Sequence, residues 1–289
     1  MFDLLETIDT YIKEVLSGII TSNVSTMFED LNTRTAEIAA EVSQTPQGYN
    51  SSIFTMVKTL SDNIMIPIAG IIISIILCYE LISMVTERNN FHDIDSWMIF
   101  KWIMKSAISV WMLTHVYECV MAVFDIGSNI AARAGALIMY STEIHSDDVV
   151  STILGNLDTM ETGELLGLCM ETSVVSLCMR IISILIYVVT FGRMIEIYLY
   201  TSVAPIPFAT LGNREWGQIG TNYIRGLFAL AFQGFLLMIC VGIYAAVIQN
   251  ISAEGNAHTS LFTILGYAVV LCFTLFKTGG LSKQIFNAH

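Results

Sequence analysis

From Leu165 to Leu211 the sequence is apolar, interrupted only by Glu171, Arg180, Arg193 and Glu196. As a helix rising roughly 1.5 Å per residue this stretch is about 70 Å long, more than twice a hydrocarbon core of about 30 Å. A helix that is apolar on every side must be buried all round, in a large core or in lipid. Composition points to lipid. Of 289 residues 54% are hydrophobic and 13% charged, against roughly 25% charged in an ordinary soluble domain. That leaves too little polar surface to coat a globule in water, whereas a bilayer solvates apolar side chains directly.

Four further apolar runs flank the block, at Ile64–Val85, Trp97–Phe124, Tyr223–Ile251 and Leu261–Phe276. They predict an all-α, polytopic transmembrane helical protein. Residues 1–62 read as an amphipathic helical region. In it Leu5, Ile8, Ile12, Val15, Leu16 and Ile19 recur at three- and four-residue steps, and the pattern repeats more weakly through Met27, Leu31, Ile38 and Val42. This region is too polar to span. It could lie on the membrane surface or pack on a partner chain, and its excess of acid over base favours protein. In SQTPQGYNSS (43–52), Pro46 and Gly48 mark a turn, and Asn50, Ser51 or Ser52 can cap the helix that follows.

Residues 63–289 form the multi-span domain, with an acidic connection at 125–164. That connection carries Asp125, Glu143, Asp147, Asp148, Asp158, Glu161 and Glu164 against the single base Arg133. Lys and Arg near span ends mark the cytoplasmic side. Placing the N-terminus and residues 1–62 outside puts Arg88, Lys101 and Lys105, then Arg214 and Arg225, then Lys277 and Lys283 inside, provided 165–211 crosses once in net. Five net crossings follow, with the C-terminus cytoplasmic and the long block holding one span plus a broken or re-entrant helix. Six crossings are the alternative.

Several function classes lack their chemistry. A net charge of −12 offers no phosphate-binding footprint. There is no HExxH helix, no GxSxG elbow and no GxxxxGK[ST] loop. The five histidines are scattered, and Cys78, Cys119, Cys169, Cys178, Cys240 and Cys272 form no CxxC pair. No catalytic, cofactor or metal site is expected, and the protein is read as not an enzyme.

The residues that stand out are charges at depth. Arg193 and Glu196 share a helical face and can pair, which lowers a cost of at least about 2.5 kcal/mol per isolated intramembrane charge. Pro205 and Pro207, in APIP, remove backbone donors and predict a helix break. Either this segment faces an inter-subunit lumen, or the pair sits at the inner interface and APIP merely ends a helix. Arg180 is an intramembrane charge that needs a partner from another helix. Glu80, Glu118 and His115 read as membrane-edge groups, although His115 and Glu118 share a face suited to a proton relay. Gly163 and Gly167 form a GxxxG pattern, and Trp97, Trp102 and Trp216 flank spans as interfacial aromatics do.

The ordered segments EIAAEVSQTPQGYNSSIF (37–54), IPIAGIIIS (66–74), YELISM (79–84), NNFHDIDSWMIFKWIMK (89–105) and VAPIPFATLGNREWGQIGTNYIRG (203–226) carry a family likeness over essentially the full chain. It resembles the TrbL-like, VirB-type polytopic channel component of type IV secretion systems, in the version carried by conjugative elements of Gram-positive bacteria. The resemblance implies a non-enzymatic channel or scaffold subunit of the bacterial cell membrane that serves DNA transfer between cells. It also implies a homo-oligomer that works beside other secretion subunits, including membrane-associated ATPases, with transferred DNA as a possible contact. The alternative is a secondary transporter. Two halves with matching broken helices would mark one, and only the 165–211 block looks broken.

Overall fold

The computed structural model describes residues 2–86, 96–141, 160–213, 215–251 and 257–288, together with Ser151, Gly155 and Leu157. Among these residues the regular structure is entirely helical: α1 (Phe2–Val42), α2 (Pro46–Tyr49), α3 (Ser51–Leu60), a π-helical turn (Ser61–Met65), α4 (Ile66–Thr86), α5 (Ser96–Thr114), α6 (Val116–Ser141), α7 (Thr162–Val203), α8 (Pro205–Thr210), α9 (Gly217–Ile251) and α10 (Ala257–Ile285). Five segments are long and apolar enough to cross a membrane: Ser51–Thr86, Val116–Ile138, Thr162–Val203, Gly217–Ile248 and Thr259–Ile285. Five is the number that the charge pattern favours.

Local chemistry explains several boundaries. Thr45 caps α2 by accepting from the Gly48 N–H at 3.2 Å, with Pro46 at the first helical position, where a missing N–H costs nothing. Asn50 caps α3 through Oδ1, which accepts from Ile53 N–H at 3.0 Å. The π turn lies just before Pro67. Proline cannot donate to the preceding turn, and its ring crowds the carbonyl four residues back. A widened turn at that point accommodates both effects.

One expectation needs correction. The second span was expected at Trp97–Phe124, with a polar connection from residue 125. Instead α6 runs on to Ser141, and the apolar window is Val116–Ile138. Lys101 and Lys105 lower the hydropathy of the first half, while the stretch after Phe124 holds no proline to stop the helix and is rich in alanine. Backbone bonds from His115 N–H to Trp111 C=O and from Cys119 N–H to His115 C=O carry the hydrogen-bond ladder through residue 115. The block from Leu165, expected to hold one span plus a broken helix, consists of α7, continuous up to Val203, and the short α8, which begins after a break at Ala204.

The structure divides into two compact units. The first comprises Met1–Val42, Ala131–Phe191 and Phe235–Thr278. Here α1 is one helix of 41 residues. It buries Leu16, Ile20, Val24, Met27, Phe28, Ile38 and Val42 in a core shared with Leu168, Val175, Met179 and Ile186 of α7 and with side chains of α9 and α10. Of the expected stripe, Leu16, Met27, Ile38 and Val42 are buried, whereas Ile8, Ile12, Val15 and Ile19 stay exposed. A polar seam fixes the register of α1 on α7. Thr162 donates to Asp9, Asn23 Nδ2 reaches Ser173 Oγ at 3.1 Å, and Arg34 Nε donates to Ser183 Oγ at 2.7 Å. Both sequence positions rise together, so the helices run parallel.

The second unit comprises Ser43–Ile130, Gly192–Gly234 and Gly279–His289. Its larger core joins Phe54 and Val57 of α3, Tyr117, Val120 and Phe124 of α6, Met194 and Tyr198 of α7, and Tyr223 and Leu227 of α9. A smaller core at Ala69, Ile73, Leu113 and Ala209 binds α4, α5 and α8.

Candidate functional site

The charged and kinked segment anticipated around Arg193 lies in the second unit, at the C-terminal end of α7. Arg193 is buried, and its Nη2 donates to the Leu230 carbonyl of α9 at 3.4 Å. Glu196 takes a different partner, Lys283 of α10, at 2.9 Å, with both side chains about two-fifths exposed. Arg193 and Glu196 thus each reach a neighbouring helix. One turn of α7 separates the residues, and α9 and α10 each supply the complementary group. Ser282 strengthens the α10 contact by donating to the Ala229 carbonyl at 2.6 Å.

The helix break falls at Ala204, one residue earlier than the prolines. Pro205 starts α8 at the first helical position and Pro207 stays within its first turn, where proline is tolerated. APIP therefore begins a short helix rather than preventing one. This helix lies directly on α9. A Cβ at Gly220 would stand 2.5 Å from the Pro207 carbonyl oxygen, and one at Gly226 would stand 2.8 Å from the Tyr200 hydroxyl. Glycine at both positions lets the elements approach this closely. Tyr200 and Tyr223 stack at 5.3 Å, and Tyr223 donates to the Tyr200 carbonyl at 2.7 Å. Asn213 closes the corner. Its Oδ1 accepts from Glu215 N–H at 2.7 Å and Trp216 N–H at 3.0 Å ahead of α9.

A second ion pair joins Lys105 of α5 to Glu80 of α4, and Tyr79 donates to Glu215 at 3.4 Å. Spacing within one helix could not reveal the Lys105–Glu80 contact, since 25 residues separate its members. Its only sequence signal is that both carry charge in apolar helices and so need each other. His115 stacks on Trp111 at 4.8 Å and shares Nδ1 contacts with Trp111 and Thr114.

In the first unit Arg180 is exposed on α7 and has no partner among the described residues. It stands among exposed Leu177, Ile181 and Ile184. Gly163 and Gly167 meet open space. The close approaches in this unit are at Gly242 against Ile138 and at Gly135 against Met238. Arg88, Glu143, Asp147, Asp148, Asp158 and Arg214 lie outside the described residues.

Comparison with protein families gives one match. The family described as TrbL/VirB6 plasmid conjugal transfer like protein matches residues 31–205, more than half of the chain. The match takes in α2 to α7 and ends within the APIP segment. No curated protein and no solved structure matches the chain.

Proposed function

Because the chain belongs to the TrbL/VirB6 plasmid conjugal transfer-like family, a family of type IV secretion components, we propose that it is a non-enzymatic subunit of the membrane-embedded translocation channel. In this role it passes DNA between bacteria beside membrane-associated ATPases. The observation that carries the reading is the family match across α2 to α7, joined to five helices able to span a bilayer. The charge network at Arg193, Glu196 and Lys283 supports a part that works by holding its shape rather than by turning over a substrate.

The subunit assembles as a homo-oligomer. Support comes from Arg180, which stands on an apolar face with no acidic partner among the described residues. A charge in that setting is costly in lipid and is relieved by an acidic or carbonyl partner on a neighbouring copy.

Deleting the gene should abolish transfer of the host element between cells, and a plasmid-borne copy should restore it. Wild-type conjugation frequency in the deletion strain, with no second copy of the family present, would sink the channel reading.

Orientation is proposed from the bases. Lys101, Lys105, Arg225, Lys277 and Lys283 lie at span ends that share one side if the N-terminus is outside. A single cysteine at Tyr11, in a background without native cysteines, should then react with an impermeant thiol reagent in whole cells. One at Gln284 should react only after lysis. Equal labelling of the two in whole cells would reject the orientation.

A further inference from the structure

In the second unit α4, α5 and the corner before α9 enclose a cavity of about 490 Å³, within the size range of small-ligand sites, roughly 300–1,000 Å³. Lys101 and Lys105 line it from α5, Glu80 from α4 and Glu215 from the corner, so among the described residues two ammonium groups meet two carboxylates. Lys105 is committed to one oxygen of Glu80. The other oxygen, Oε2, is shielded from water and has no hydrogen-bond partner among the described residues, and the same holds for the indole Nε1 of Trp102 on the same wall. A shielded carboxylate oxygen and a shielded N–H without partners are each costly. One is an acceptor and the other a donor, so no single ion satisfies both.

From this wall we infer that the cavity is a binding site for a phosphoethanolamine group, the headgroup of an aminophospholipid. The phosphate is held by Lys101 and, after a small side-chain rotation, by Trp102 Nε1. The primary ammonium donates to Glu215 and, once the Glu80 carboxylate turns toward the cavity, to its Oε2. Charge balance selects a zwitterion, since an anionic headgroup would leave the carboxylates uncompensated. The free acceptor selects an ammonium with N–H bonds over a trimethylammonium, which has none to donate. A lipid is the source that the surroundings favour. The helices that bear the site also carry Ile82, Trp97 and Phe100 as exposed apolar side chains, and basic side chains near span ends commonly reach headgroups. The assignment requires a membrane protein and nothing about conjugation.

The test uses the purified full-length protein in detergent. Short-chain phosphatidylethanolamine, phosphatidylcholine and phosphatidylglycerol, and free O-phosphoethanolamine, are titrated separately and binding is followed by isothermal titration or native mass spectrometry. Phosphatidylethanolamine should bind about tenfold or more tightly than the choline and glycerol lipids, the value of one charge-assisted hydrogen bond. The exposed Lys101→Ala and the corner Glu215→Gln should each weaken it by a similar factor. Melting and elution profiles should stay unchanged, which separates a lost contact from a lost fold. Binding of O-phosphoethanolamine as tight as the lipid would keep the group and assign it to a soluble source. Equal affinity for the three lipids, or equal affinity in both variants, would overturn the site.

Discussion

Ile20→Asp is expected to unfold the first unit. Ile20 is fully buried in the core that α1 shares with α7, α9 and α10. Removing a buried aliphatic side chain costs about 2–5 kcal/mol. Placing a carboxylate there adds several more unless it is neutralised. Together these approach the total stability of an ordinary domain, about 5–15 kcal/mol. Limited proteolysis of the purified protein should cut α1 in the variant under conditions that spare the wild type. Ile8→Asp is the control, because Ile8 is 47% exposed and should tolerate the change. Removing residues 1–42 altogether should leave the chain in the membrane, since Ser51–Thr86 is a sufficient span. The first unit should then become as protease-sensitive as in the point variant. An unchanged digestion pattern for Ile20→Asp would show that α1 does not dock where the structure places it.

Gly220→Val should produce the next largest loss. The added Cβ would meet the Pro207 carbonyl oxygen at 2.5 Å and the Leu211 side chain at 2.7 Å. Backbone cannot swing aside as a flexible side chain can, so α8 would have to lift from α9. Overpacking of this kind costs about 1–3 kcal/mol and at times more. Gly163→Val, where nothing lies within 4 Å, should change stability by less than about 1 kcal/mol through helix propensity alone. Thermal melting in detergent compares the two, and matching shifts would remove the close-approach argument.

Hydropathy and charge made the all-helical, multi-span class readable without coordinates, because a bilayer imposes length and composition directly on each span. A cap among Asn50, Ser51 and Ser52 and the start of a helix after it were equally plain, since capping is decided within three residues. Boundaries set by continuity were not. Polar Asp125, Ser128 and Asn129 suggest a loop, yet α6 passes through them, since no residue there obliges the ladder to stop. Partners across helices were harder still. A shared face on α7 is visible in the sequence for Arg193 and Glu196, but Lys283 and the Leu230 carbonyl arrive from helices whose azimuth no local pattern fixes. The α1 stripe was legible only in part, with Leu16, Met27, Ile38 and Val42 buried as expected and Ile8, Ile12, Val15 and Ile19 not. With apolar residues on two adjacent faces, only the docked neighbour decides that Ile20 is covered and Ile19 is not.

The seam between α1 and α7 also sets a timetable. Asn23 and Thr172 are 149 residues apart in the chain, so α1 leaves the ribosome long before the surface that receives it has been made. At roughly 5–20 residues per second the delay is on the order of ten seconds, far longer than the microseconds in which a helix forms. Throughout that interval α1 presents both its future core stripe and the Ile8, Ile12 and Val15 face without cover. The interval closes only when the third span has been threaded, so the rate of synthesis between them governs how long the newborn chain is open to wrong partners.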